Sequence, residues 1–167
     1  MTIEEAIKTA MEFEAQVREA YHSAMEAVTD PVGKRIFRVL SNEEQRHREY
    51  LQSKLDEWKR TGRITPKKLE TAIPSKDRIR KGVSKLEPRK AGKHPEGELH
   101  MLSTALDVEV KTCNFYKKMV KELPLEGQQL FARFVEIEEG HLAIVRAEID
   151  YLSKTGYWFD FKEFDME

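Results

Sequence analysis

The chain has 167 residues, 40% of them hydrophobic and 35% charged, with only 8 Gly and 6 Pro. That is one domain's length of a helical protein with a sizeable core and charged outer faces. The net charge of −1 names no partner, and the single cysteine, Cys113, excludes internal disulfides and every Cys-based zinc or iron–sulfur motif, so a bound metal must be held by oxygen and nitrogen.

The first helix is expected to start at the capping-box pattern Thr2-Ile3-Glu4-Glu5 and to run to about Thr29. Its inward stripe reads Ile3, Ile7, Met11, Glu14, Val17, Tyr21, Met25, Val28. Asp30-Pro31 marks a short turn, with Pro suited to the first position of the next helix. The second stripe reads Ile36, Leu40, Glu44, His47, Leu51, Leu55, Trp58, and Thr61-Gly62 ends it. The third reads Leu102, Leu106, Glu109, Cys113, Tyr116, Val120, Leu123, and closes at Pro124. The fourth reads Leu130, Phe134, Glu138, His141, Val145, Ile149, Leu152, with Gly156 as its cap. Spacings of three, four and seven mark one buried face on each helix.

These elements predict an all-α fold, an antiparallel four-helix bundle built of two helical hairpins. A single domain over residues 1–167 divides into a hairpin over 1–60, a crossover over 61–98, a hairpin over 99–155 and an aromatic tail over 156–167. The crossover carries Pro66, Pro74, Pro88 and Pro95, with a short helix expected around Ser75–Leu86. The tail, Tyr157-Trp158-Phe159-Asp160-Phe161 with Phe164, is too aromatic for water and is expected to pack on the bundle end or on another subunit. No apolar run can span a bilayer, and Met1-Thr2-Ile3-Glu4-Glu5 has neither the basic region nor the apolar core of a signal peptide. A cytoplasmic location and no membrane partner are expected.

The hairpins repeat one design. Glu14 precedes Tyr21 by seven residues, as Glu109 precedes Tyr116. Glu44-Gln45-Arg46-His47 matches Glu138-Glu139-Gly140-His141. An approximate two-fold axis therefore relates the two halves.

Ionisable residues in inward stripes need a reason, because an unpaired buried carboxylate costs several kcal/mol or more. Glu and His three apart share a helix face and can reach one point. Two metal ions would satisfy all six residues at once. Glu14 and Glu109 would be terminal ligands, Glu44 and Glu138 would bridge, and His47 and His141 would complete each ion. This ligand set is the one described for ferritin-like carboxylate proteins. The competing readings are carboxylates paired with buried arginine, Arg18 and Arg46 being nearest, and a structural zinc or calcium site. Two His and four carboxylates suit Fe, Mn or Zn better than Ca.

Other residues have weaker claims. The hydroxyls of Tyr21 and Tyr116 sit two turns past a ligand, in reach of a neighbouring helix's Glu; supporting that Glu and plain core packing are equally good accounts. Cys113 reads as a small core residue. His22, His94 and His100 read as surface residues. Glu148 has no symmetry mate, since Lys54 holds that place in the first hairpin. Residues 60–94 contain 12 Lys or Arg against three acids, net +9, while the remainder holds 17 basic against 27 acidic residues. The competing reading is an anion or nucleic-acid patch; no aromatics interleave these charges, so a solvated loop against an acidic bundle is expected and a nucleic-acid partner is not.

These features resemble the ferritin-like superfamily, and within it the rubrerythrin group. Ala10-Met11-Glu12-Phe13-Glu14 leading to Tyr21, and Asp107-Val108-Glu109 leading to Phe115-Tyr116, are similar to that group's first and third helices. The resemblance implies two iron ions, with Mn or Zn in their place in isolated protein, on Glu14, Glu44, His47, Glu109, Glu138 and His141. It implies an oxidoreductase acting on peroxide or dioxygen, or oxidising ferrous iron. Full-length rubrerythrins also carry a four-cysteine rubredoxin domain, so an external electron-transfer protein is expected here. Rubrerythrins often have an extra Glu where this chain has Thr112, and the symmetric six-residue set is closer to bacterioferritin. Bacterioferritin-like iron storage and a non-catalytic metal-binding module are the alternatives. A homodimer is expected.

Overall fold

The computed structural model describes residues 1–65, 68–86 and 95–161. The expectations placed on Pro66, Pro88, His94 and Phe164 lie outside the described residues. The regular elements are helices: α1 (Ile3–Ala27), α2 (Pro31–Thr61), α3 (Lys76–Ser84), α4 (Glu96–Glu122) and α5 (Leu125–Thr155). There is no strand among the described residues.

The helix ends follow local chemistry. Thr2 and Glu5 form a reciprocal capping box on α1. The Asp30 carboxylate accepts from the N–H groups of Val32 and Gly33, and Pro31 takes a place where its missing N–H costs nothing. Gly62 (φ 71°) and Gly156 (φ 77°) close α2 and α5 in the left-handed conformation. The expected short helix of the crossover is α3, capped by the Ser75 hydroxyl.

The helices pack as a bundle: α1 lies along α2, α4 along α5, α1 against α4 and α3 against α5. Two apolar clusters result. One joins Ile3, Ile7 and Ala10 of α1 to Leu51 and Leu55 of α2, Tyr116 of α4, and Phe131 and Phe134 of α5. The other joins Val17 and Tyr21 of α1 to Phe37 and Leu40 of α2, Leu102 of α4, Val145 and Leu152 of α5, and Trp158 of the tail. Glu14, Glu44, Glu109 and Glu138 fall between these clusters along their helices. Phe37, Phe131 and Ile144 are buried although they lie off the expected stripes. Each packs toward a neighbouring helix, so the buried sector is wider than a single seam.

The crossover is more than a solvated loop. Leu69, Ile73 and Ile79 are buried. Lys54 is buried and donates to the Thr65 carbonyl, and Arg133 donates through Nε and Nη2 to the Leu69 carbonyl. Lys76 pairs with Glu139 at 2.7 Å. Residues 68–75 therefore form a strap across α5. It crosses at Gly140, where an added Cβ would stand 3.0 Å from the Pro74 carbonyl oxygen.

The tail folds back on the same chain, the first of the two expected outcomes. Trp158, Phe159 and Phe161 are buried. The Trp158 ring meets Phe37 edge-on at 5.2 Å, and its Nε1–H donates to Glu98. The buried Glu148 accepts the Phe159 N–H, so it anchors the tail. Lys54 does the same for the crossover from the matching place in the other hairpin. A Cβ on Gly33 would stand 2.7 Å from the Trp158 ring. Gly33→Val should therefore cost about 1–3 kcal/mol in urea unfolding by forcing this ring out of place, and the emission of Trp158 should shift red.

Candidate metal centre

Glu14 comes from α1, Glu44 and His47 from α2, Glu109 from α4, and Glu138 and His141 from α5. All six are 0% exposed. Their donor atoms form two overlapping groups, each with all atoms within 4.8 Å of one another. One is Glu14, Glu44, His47 and Glu138; the other is Glu44, Glu109, Glu138 and His141. Glu44 and Glu138 belong to both. The structure thus brings together every residue of the expected set, in the expected pairing of shared and unshared carboxylates.

The two imidazoles stack at 5.5 Å with 17° between their planes. Nδ1 of His47 lies 3.4 Å from Glu14, 3.5 Å from Glu44 and 3.6 Å from Glu138. Nδ1 of His141 lies 3.0 Å from Glu44, 3.2 Å from Glu109 and 3.7 Å from Glu138. Both Nδ1 atoms therefore face the carboxylates. Each Nε2 faces the other way.

The tyrosines tie α1 and α4 to each other. The Tyr21 hydroxyl on α1 donates to Glu109 on α4 at 2.7 Å. The Tyr116 hydroxyl on α4 donates to Glu14 on α1. Each unshared carboxylate is thus oriented by the opposite half of the molecule. Burial, together with the Glu109 charge for Tyr21 and the Glu14 charge for Tyr116, raises both phenols well above their ordinary range. Both hydroxyls keep their protons and act as fixed donors.

The sequence reading missed Glu43. It is fully buried, and its Oε1 lies 3.2 Å from Nε2 of His141 and 4.0 Å from Nε2 of His47. Arg46 donates to its Oε2 at 2.5 Å and the Ala72 N–H at 3.1 Å, while the Thr71 hydroxyl donates to Oε1. Burial opposes its ionisation, but the bonds from His141 and Thr71 and the charge of His47 hold it well below the usual carboxylate range. One carboxylate therefore faces both rings from behind, and its contact with His141 favours the tautomer of that ring whose Nδ1 lone pair faces inward. The available signal was spacing: Glu43 is four residues before His47 and three before Arg46. Symmetry hid it, because the matching position in the other hairpin is Ile137.

Arg46 is therefore the partner of Glu43, and the buried-arginine account of the six residues fails. Among the described residues, the six ligand candidates form ion pairs only with one another and with Glu43. With the carboxylates ionised, one oxygen each of Glu14 and Glu109, both oxygens of Glu44 and Glu138, and both nitrogens of His47 have no hydrogen-bond partner. So many converging, unsatisfied donor atoms fit a cation. Thr112 is buried but turns its hydroxyl to the Val108 carbonyl, adding nothing to the set. Cys113 is buried and its thiol is pushed up, chiefly by burial, as befits a core residue. His22 and His100 lie at the surface.

Without a cation only protons can balance these charges. Burial and the charges of Glu14 and Glu109 push Glu44 up to about 8, and burial with Glu109 and Glu44 raises Glu138 well above its usual range. Burial opposes the charge on Glu14, yet the proton shared from Glu44 and the charge of His47 bring it to about 2. Burial also opposes charge on the imidazoles, but Glu14 and Glu44 around His47, and Glu138 and Glu109 around His141, raise both well above 6.5.

No protein-family model matches the chain, and neither does any curated protein or solved structure.

Two outcomes are expected. Glu44, Glu138 and both imidazoles hold protons in the folded metal-free chain that the unfolded chain releases, so its stability should fall as pH rises from about 5 toward 8. Glu14 acts in the opposite sense, and its contribution is lost as pH falls from 4.5 toward 2. Thermal unfolding of chelator-treated protein should show an optimum near pH 5, and bound metal should remove the alkaline fall. Separately, Glu43→Ala should weaken metal binding about 10- to 100-fold in a chelator competition, since His141 then loses its partner from behind.

Proposed function

We propose that the chain is a di-iron carboxylate oxidoreductase of the rubrerythrin kind. On this reading the four long helices form two antiparallel hairpins, α1–α2 and α4–α5, as in ferritin-like proteins. The single observation that carries the reading is the shared position of Glu44 and Glu138 between two donor groups. Two sites with common carboxylates call for two ions side by side.

Four carboxylates and two neutral imidazoles balance two divalent cations with no net charge left in the core. When bound, a pair of ferrous ions would supply one electron each at one place, the two that reductive cleavage of an O–O bond requires. The chain's own residues do the rest. Tyr21 and Tyr116 hold Glu109 and Glu14 from opposite hairpins. Glu43 keeps Nε2 of His141 occupied at 3.2 Å, lies 4.0 Å from Nε2 of His47, and leaves Nδ1 of both rings for metal. The two apolar clusters on either side keep bulk water from the carboxylates. Substrate would be peroxide or dioxygen, and electrons would come from another protein.

One observation supports a second reading. Thr112 offers no donor, so the set stays symmetric, one Glu and one His to each side with two Glu shared. That symmetry suits oxidation of ferrous iron in the manner of bacterioferritin.

Anaerobic titration of the chain should show two ferrous ions bound per chain. Peroxide should then raise near-ultraviolet ferric absorption, and Glu44→Ala should abolish that signal and at least one equivalent of iron. If the variant titrates like the wild type, the reading is wrong. Size-exclusion chromatography separates the two readings, since a monomer or dimer rules out a storage shell.

A further inference from the structure

A cleft of about 560 Å³ lies between α3 and the outer face of α5, with one wall contributed by α4. Its floor is apolar, with Ile79 and Val83 of α3 facing Leu142, Ala143 and Ala147 of α5. Its rim is cationic: Lys76, Arg80, Lys117 and Arg146 surround it, and Glu139 is the one acid. Lys76 already neutralises Glu139 at 2.7 Å. Among the described residues, Arg80, Lys117 and Arg146 have no hydrogen bond or ion pair. Three unpaired cations therefore ring an apolar floor on a chain whose overall charge is −1.

What sets this arrangement apart is that its cations border an apolar floor. Several exposed basic residues elsewhere meet acids: Lys8 meets Glu4, Lys154 meets Asp150, and Arg133 meets Glu136. Arg80 and Arg146 instead come from different helices to the edges of one concavity. Guanidinium forks bind planar oxyanions with two parallel bonds, and the size of the cleft is that of a small-molecule site. The floor has no polar side chain to satisfy an ion seated deep, so charge belongs at the rim and chain at the base. No aromatic ring lines the cleft, so nothing there would stack a base.

We propose that this cleft binds an amphipathic organic anion, an acyl carboxylate whose head lies between Arg80 and Arg146 and whose chain lies on Ile79 and Leu142. This site stands apart from the buried carboxylate cluster and does not depend on a metal being bound there.

The test is calorimetric titration of the full chain with octanoate, octanol and inorganic phosphate. Octanoate should bind one to one, at least tenfold more tightly than either of the others. The double variant Arg80→Gln, Arg146→Gln should lose at least tenfold in octanoate affinity with an unchanged thermal transition. Arg60→Gln, which removes an exposed charge elsewhere, should bind as the wild type does. Phosphate binding as tightly as octanoate would remove the acyl half of the proposal, and octanol binding as tightly would remove the anionic half. Equal weakening by Arg60→Gln and the double variant would reduce the effect to bulk charge and overturn the site.

Discussion

A carboxylate taken out of water must be given a positive charge or a proton, and four of them brought to one point set the terms for everything around them. Glu14, Glu44, Glu109 and Glu138 have no arginine or lysine among their described ion pairs, so the helices that carry them cannot close on apolar burial alone. The apolar clusters on either side supply the general drive to pack. The cluster of donors decides what must be present when they do.

Around that centre the two-fold symmetry holds for the donors and fails behind them. On α2, Glu43 accepts from Thr71 and Ala72 of the strap, and Arg46 donates to Glu43. On α5 the matching positions are Ile137 and Gly140. Gly140 is bare because the Pro74 carbonyl passes where its side chain would be. The asymmetry has one cause: the chain has to travel from one hairpin to the other, and it does so across this face. A carboxylate and a glycine on opposite helices are two consequences of one crossing.

Helix existence, the capping box, the caps at Gly62 and Gly156, and the six convergent residues were legible because each leaves a local mark of spacing or residue type. The tyrosine partnership was half legible: the repeat placed Tyr21 and Tyr116 near an opposing Glu, while their role as reciprocal donors needed the packing. Glu43 was not legible, because symmetry pointed away from it and its partners Thr71 and Ala72 are 28 and 29 residues distant. The strap was misread for a similar reason. Its charges are conspicuous in the sequence, whereas the burial of Leu69 and Ile73 depends on where α5 lies. The basic cleft shows the same limit, since Arg80 and Arg146 become neighbours only when α3 docks.

On the metal-binding reading proposed above, the division of the six residues between α1–α2 and α4–α5 bears on how the chain is made. A ribosome delivers Glu14, Glu44 and His47 together, then the crossover, and only afterwards Glu109, Glu138 and His141. The early half holds two carboxylates and one imidazole, with neither Tyr116 to orient Glu14 nor the strap to brace Glu43. Such a half-site is a weak trap for any ion, which limits capture of the wrong metal while synthesis is under way. On that reading tight capture waits for α4 and α5, so quality control over metal choice would fall to the finished fold and not to the nascent one.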